Sequence, residues 1–235
     1  MSLVRLPLVL LLTGLVSLVG CVSQQPVPLY QLDSGKISVP ADKDGIAVLL
    51  GPVSIADYLQ RETLLQRQAD GSLIAASGVR WAGSLAAELD QQLLRQLASR
   101  LDSQRLVLSP AEPGFTPQVQ VLLTIARLDS GPQQPAVLDA QWRLMSKDGQ
   151  LIDGRMVHIE EAHEGSIADQ VRAQSLAVQQ LVGQLADAIK TNNSTPVAVT
   201  PPAAKKPAPT PAAKEPPPKI PMAQPIRIDS EVYRF

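Results

Sequence analysis

Apolar and polar positions along this chain follow two periods in turn, and the switches between them mark out its elements. Ile46-Ala47-Val48-Leu49-Leu50 is a short apolar run closed by Gly51-Pro52, the pattern of a buried strand. Thr63 to Gln68 and Ser72 to Ala76 flank Asp70-Gly71, a hairpin turn pair. From Ser84 the period lengthens: Leu85, Leu89, Leu93, Leu97 and Leu101 recur at every fourth position, with Leu94 beside them. This predicts a helix with one apolar stripe, capped by Ser84 and favoured electrically by Glu88 in its first turn. The two-residue period then returns. Val119, Val121, Leu123 and Ile125 alternate with Gln118, Gln120 and Thr124, and Ala136, Leu138, Ala140, Trp142 and Leu144 alternate with Asp139, Gln141 and Arg143. Both segments predict half-buried antiparallel strands. Asp148-Gly149 turns the second into a hairpin partner over Leu151 to Glu160. A second long helix is predicted from about Ser166 to Lys190. Ser166 and Asp169 have capping-box spacing, and Ile167, Val171, Val178, Leu181, Val182, Leu185 and Ile189 mark its buried face.

Each strand group has one apolar face, and each helix has one stripe to cover it. The expected fold is therefore α+β: an antiparallel sheet with two long helices packed on one face, over residues 46–190. With 235 residues the chain holds one such domain plus tails. Apolar residues make up 45 % but aromatics only 3 %, so the core must be built from Leu, Val, Ile and Ala. A formal net charge of -1 argues against nucleic acid as the main partner. The single cysteine excludes a disulfide within the chain.

The ends have their own patterns. Leu6 to Gly20 is an apolar to weakly polar run behind Arg5, shorter than the roughly 20 residues of a spanning helix. It ends in Leu18-Val19-Gly20-Cys21, which resembles the lipobox of bacterial lipoproteins. The resemblance implies a signal peptide over 1–20, cleavage before Cys21, and a diacylglyceryl group on its sulfur. No other cofactor is expected. Each buried methylene contributes about 0.8 kcal/mol, so two or three acyl chains would hold the protein to a membrane permanently. Val22 stands where an Asp would resemble an inner-membrane retention signal, so sorting to the periplasmic face of the outer membrane is expected. Residues 21–45, with Pro26, Pro28 and Pro40, read as a short, extended, lipidated tether. Residues 191–225 are rich in Pro, Ala, Thr and Lys and are expected to form a disordered linker of polyproline character. Pattern returns in 226–235, where Ile226, Ile228, Val232, Tyr233 and Phe235 are interleaved with Arg227, Asp229 and Arg234. Ile226, Ile228, Tyr233 and Phe235 are candidate partner-binding residues; folding back on the domain is an equal alternative.

Catalytic candidates are few. His158 and His163, with Glu160, Glu161 and Glu164, contain metal-ligand residue types. The run passes from strand into loop, however, and gives no clear ligand geometry, so solvated charges are the expected reading. No serine stands in a nucleophile elbow and no glycine-rich phosphate loop is present, so neither a catalytic nor a metal-ligating set is assigned. Lys205, Lys206, Lys214 and Lys219, spaced by prolines, are expected to serve solubility, with contact to anionic lipid or cell-wall polymer as the alternative.

Two clusters remain. One is Gly51-Pro52 followed by Tyr58-Leu59-Gln60-Arg61; the other is Arg80-Trp81-Ala82-Gly83-Ser84-Leu85. In this order behind a lipobox, and with Tyr30-Gln31-Leu32 soon after the cysteine, they resemble the ABC-type transport auxiliary lipoproteins of the PqiC-like family. The resemblance covers roughly residues 21–190. Gly83-Ser84 departs from the family's usual acidic-proline pair, which leaves the helix cap but puts any role of that acid in doubt. The resemblance implies a non-enzymatic, self-associating subunit of a lipid transport system that supports envelope integrity. Its implied partner is an MCE-domain periplasmic protein, docked at the outer membrane. Tyr58, Arg61, Arg80 and Trp81 are its candidate partner-binding residues. Two rivals differ in class: an outer-membrane assembly or cell-wall-contacting lipoprotein that works through its tail, and a hydrolase, which requires clustered titratable residues in a pocket.

Overall fold

The computed structural model describes residues 26–194. In chain order it contains β1 (Leu29–Tyr30), β2 (Val48–Ile55), a 3₁₀ turn (Asp57–Gln60), β3 (Thr63–Arg67), β4 (Leu73–Trp81), α1 (Leu85–Leu101), β5 (Leu106–Leu108), β6 (Val119–Gly131), β7 (Gln134–Ser146), β8 (Leu151–Glu161) and α2 (Ile167–Ser194). The signal peptide, Cys21, nearly all of the linker, and Ile226, Ile228, Tyr233 and Phe235 lie outside the described residues.

The α+β class holds, but the sheet is mixed. β6, β7 and β8 form the expected antiparallel meander, and β3 and β4 the expected hairpin. β2 instead runs parallel to both β6 and β5, with Val48 opposite Val119 and Val48 opposite Leu106. A two-residue period shows which face a side chain takes and carries nothing about the direction of the neighbouring strand. β2 reaches its partners only after a hairpin and a helix, and that crossover makes parallel pairing possible. Gly51-Pro52 also does not close β2. The register slips between Leu50 and Val53, with Gly51 at φ 110°, so a bulge absorbs the proline inside the strand.

The turns follow their residue chemistry. Gln68 N donates to Ser72 O at 2.8 Å across Asp70-Gly71, and Ser146 N donates to Gln150 O at 2.8 Å across Asp148-Gly149. Ser84 Oγ accepts from Ala87 N at 3.4 Å and caps α1.

Both helices cover one face of the sheet. Leu85, Leu89, Leu93 and Leu97 of α1 and Val178, Leu181, Val182 and Leu185 of α2 are buried with Val121, Leu123, Ile125, Leu138 and Trp142. The opposite face of β6 to β8 is open, and Thr124, Gln141, Arg143 and Met156 are exposed on it.

The segment read as a tether is seated on the domain from Leu29 onward. β1 pairs with β4, Leu32 is buried, and its N–H donates to Glu88 Oε1 at 2.6 Å. Gln92 Nε2 of α1 donates to Leu32 O at 2.7 Å, and Gln179 Nε2 of α2 donates to Asp33 O at 2.9 Å. Asp33 N donates to Ser175 Oγ at 3.0 Å, and Ala41 N to Asp102 Oδ1 at 2.7 Å. The fold thus takes in residues upstream of Ile46. These links join a strap's backbone to polar side chains of the helices, so they leave no apolar period in the strap itself.

Candidate functional site

The four candidate residues lie around one seam, where the 3₁₀ turn and the β3–β4 hairpin meet the end of β6. β4 alternates, so consecutive residues part: Trp81 turns into the core at 7 % exposure, while Arg80 faces solvent. Trp81 N donates to Glu62 O at 2.8 Å, which ties the helix entry to the start of β3. Tyr58, in the 3₁₀ turn, is half-buried, and its hydroxyl donates to Asp129 Oδ2 at 2.8 Å while accepting from Leu128 N at 3.2 Å. Arg61 follows the turn, is exposed, and makes no hydrogen bond or ion pair among the described residues. Arg80 has only a loose contact with Glu62, 4.0 Å between two exposed side chains. Tyr58 and Trp81 are therefore built into the scaffold, and Arg61 and Arg80 are exposed cations above it.

Asp129, which the sequence reading passed over, organises this seam. Arg67 grips its carboxylate with two bonds, Nε to Oδ1 at 2.8 Å and Nη2 to Oδ2 at 2.7 Å, and Arg127 Nε adds a third at 3.0 Å to Oδ1. The Asp129 side chain is 1 % exposed. Burial pushes its carboxyl up, but the bonds from Arg67, Tyr58 and Arg127 outweigh burial and hold it below the usual carboxylate range. Burial first, and then the bond to Asp129, push the Tyr58 hydroxyl up to about 12. Asp129-Ser130-Gly131 has the composition of a turn, so its residue types carry no sign of burial. Structurally the three residues end β6 where β3 crosses it closely: a Cβ on Gly131 would stand 1.8 Å from Arg67 O.

The space between Tyr58, Thr63, Trp81, Leu128, Asp129 and Gln174 amounts to about 10 Å³, enough for one water at most. A larger groove of about 300 Å³ lies on the open sheet face, between Thr124, Ala126, Gln141, Met156 and His158. His158 spans two carboxylates there, with Nδ1 2.5 Å from Asp139 Oδ1 and Nε2 3.1 Å from Glu160 Oε1. The bonds to Asp139 and then Glu160 push its pKa up. His163 is engaged elsewhere: Gly165 N donates to its Nδ1 at 2.9 Å, so Nε2 carries the proton donated to Gln134 O at 2.8 Å. The histidines do not converge, and among the described residues no group of three or more His, Cys, Asp or Glu side chains could hold a metal ion. Among the same residues no helix is long and apolar enough to cross a membrane.

Comparison with known families decides the assignment. The model of a family described as the ABC-type transport auxiliary lipoprotein component matches residues 30–186. The chain belongs to this family. The match begins at Tyr30 in the strap and ends within α2, so the seam, α1, most of the strap and most of α2 lie within the family's shared domain. The family description is that of a transport component and not of an enzyme, and a transport auxiliary lipoprotein is a membrane-associated component of the cell envelope. Two solved structures share the fold of this auxiliary lipoprotein. One, an uncharacterized protein, has a TM-score of 0.56 at 22 % identity, over 68 % of this chain and 97 % of the other. The second, protein XCC0632 from Xanthomonas campestris, of the family DUF330, has a TM-score of 0.56 at 14 % identity, over 71 % of this chain and 96 % of the other. No curated protein matches the sequence.

Proposed function

We propose that this chain is a non-enzymatic, lipid-anchored subunit that docks the MCE-domain component of a lipid transport system at the outer membrane, and so supports envelope integrity. The observation that carries this reading is membership of a transport auxiliary lipoprotein family. The geometry supports a location for the docking surface. Arg80 N donates to Pro28 O at 3.3 Å and Ala82 N to Tyr30 O at 2.8 Å, so the exposed arginine lies beside the segment that leads to the anchor. Cys21 precedes Leu29 by eight positions. At about 3.3–3.6 Å per extended residue, that chain length spans under roughly 30 Å. Lipid on Cys21 would therefore keep Arg61 and Arg80 close to the bilayer, where a periplasmic partner would end. Their charges would steer and orient that partner.

Arg61→Glu is the direct test. Capture of the MCE-domain protein from detergent-solubilised envelopes should fall by roughly ten-fold, because a steering cation becomes a repelling anion. Melting and circular dichroism should stay as in the wild type, since an exposed substitution of this kind shifts stability by about 0.5 kcal/mol at most. Undiminished capture would remove Arg61 from the surface. The anchor has its own test. Intact-mass measurement of the mature protein should show a chain that starts at Cys21 and carries diacylglyceryl mass, and Cys21→Ser should move the protein from the membrane to the soluble fraction. A free thiol on the native product would end the anchored reading.

A further inference from the structure

The strap crosses both helices, and beneath it lies a pocket of about 210 Å³, between Ser34, Lys36 and Ile37 of the strap, Gln96 and Arg100 of α1, and Gln179 of α2. That is well above the roughly 10–15 Å³ that a single water needs. Its charge is one-sided. Lys36 and Arg100 line it and no carboxylate does. Two other polar grooves hold their cations against carboxylates, Arg172 with Asp169 at 3.1 Å and Arg155 beside Asp153 at 3.7 Å. We infer that the pocket under the strap binds a phosphate ester that also bears a hydroxyl group, in its simplest form a glycerol phosphate, with the phosphate on Lys36 and Arg100 and the hydroxyl on Gln96.

Gln96 is the residue that calls for a hydroxyl. It is 2 % exposed, and its Oε1 has no donor among the described residues. Turning the amide over does not cure this. Gln92 Nε2 donates to Leu32 O at 2.7 Å, so Gln92 presents its Oε1 to its neighbours, and Gln96 meets that oxygen with Nε2 at 3.4 Å. Gln96 Oε1 is thus left as a buried acceptor on a wall of the pocket, where an unmade bond is costly and a ligand O–H is worth most. The cations are available as well. Lys36 is exposed and has no carboxylate partner among the described residues. Arg100 donates Nη2 to Gln179 O at 3.2 Å and has no carboxylate partner there either. Asp33 and Asp102 are turned to strap backbone, accepting from Gly35 N at 3.0 Å and Ala41 N at 2.7 Å. Two cations converging on one small space suit a phosphate, through charge-assisted bonds.

The strap side of the pocket is preformed. Gly35, at φ 66°, passes so close to α2 that a Cβ would stand 2.7 Å from Gln179 Oε1, and Gln179 Nε2 holds Asp33 O at 2.9 Å. Ser38 N donates to Ser99 Oγ of α1 at 2.9 Å and pins the strap beyond the pocket. Ile37, 44 % exposed, lines the space, and Val39, two residues on, is 91 % exposed. A bare phosphate ester makes no use of that apolar lip, whereas an ester that heads an acyl chain does, so the lip favours a lipid headgroup over a soluble ester. The chemistry of the pocket does not rest on the transport reading.

The test uses the full mature chain in detergent. Calorimetry reads inorganic phosphate and glycerol phosphate, and native mass spectrometry reads short-chain phosphatidylglycerol against phosphatidylcholine, whose headgroup has no hydroxyl. Wild type should retain phosphatidylglycerol about ten-fold better than phosphatidylcholine. Lys36→Glu and Arg100→Glu should each weaken glycerol phosphate and phosphatidylglycerol about ten-fold, while Arg95→Glu, an exposed cation of α1 outside the pocket, should change neither. Gln96→Leu should weaken glycerol phosphate several-fold and leave inorganic phosphate as in the wild type, because only the ester carries the hydroxyl. Lys36 is exposed, so Lys36→Glu carries the test if Gln96→Leu fails to fold. Competition separates the two sources of the ester. Displacement of phosphatidylglycerol only by a ten-fold or greater excess of glycerol phosphate makes the lipid headgroup the ligand; displacement at equal concentration makes it the soluble ester. Equal retention of the two lipids, Arg95→Glu as damaging as Lys36→Glu, or Gln96→Leu weakening phosphate as much as glycerol phosphate would each overturn the inference. The calorimetric arm reads the pocket whether or not Cys21 carries lipid, so failure of the anchor and failure of the site are told apart.

Discussion

Asp129→Ala should destabilise the domain by roughly 3–5 kcal/mol, the range for removing one partner of a buried ion pair. The cost comes from what stays behind. Arg67 loses both of its carboxylate bonds, Arg127 loses one, and the Tyr58 hydroxyl loses its acceptor in a seam with room for at most one water. Urea unfolding should show a much lower midpoint at an unchanged slope. Asp129→Asn keeps the shape but not the charge and should lose less. Acid dependence separates these roles. A carboxyl held below its ordinary value in the fold contributes stability in full above the unfolded value, near about 3.9, and loses it as pH falls through the lower folded value. The wild type's advantage over Asp129→Asn should thus be flat above about pH 5 and shrink below about pH 4. At the alkaline end the sign is opposite. Tyr58, pushed up to about 12, contributes stability below its unfolded value near about 10 and loses it as pH rises toward 12. A pH-independent difference between wild type and Asp129→Asn would mean that Asp129 is not the charge holding this seam together.

The same network bears on docking. Tyr58 belongs to the turn that leads directly into Arg61, and its bond to Asp129 holds that turn against β6. Loss of Asp129 should therefore weaken partner capture together with stability, whereas Arg61→Glu should weaken capture alone. Resemblance to the family makes Tyr58 and Trp81 candidate contact residues. Their burial makes them supports for the two arginines, and alternation along β4 is enough to place Trp81 inside once Arg80 is outside.

What could be read in advance follows from the kind of interaction involved. The helices and the β6–β8 meander are held by apolar faces, so Leu85 to Leu97 and Val119 to Ile125 announce them by period alone. The Asp-Gly turns announce themselves by backbone chemistry. The parallel partners of β2, the strap over the helices and the Asp129 cluster were not legible, and they share a cause. Each is set by contacts between segments distant in sequence, made through backbone or polar groups. Gln92 and Gln96 illustrate it: they lie on the buried side of α1, where period reasoning expects apolar residues. Gln92 is spoken for by Leu32 O, sixty positions away.

Trp142 provides the other large test, because its size and its polarity act in opposite directions. It is fully buried at the centre of β7, opposite Leu123 on one side and Arg155 on the other. Trp142→Ala should cost about 3–5 kcal/mol through lost burial and the cavity left behind. Trp142→Phe should stay within about 1.5 kcal/mol of wild type. It keeps an aromatic ring under the Arg155 guanidinium, which lies 5.7 Å from the indole centroid, and it removes an indole N–H that has no acceptor among the described residues. Equilibrium urea unfolding of the two variants reads the difference directly. If Phe proves as damaging as Ala, the indole nitrogen has a partner and the core is wetter than its packing implies.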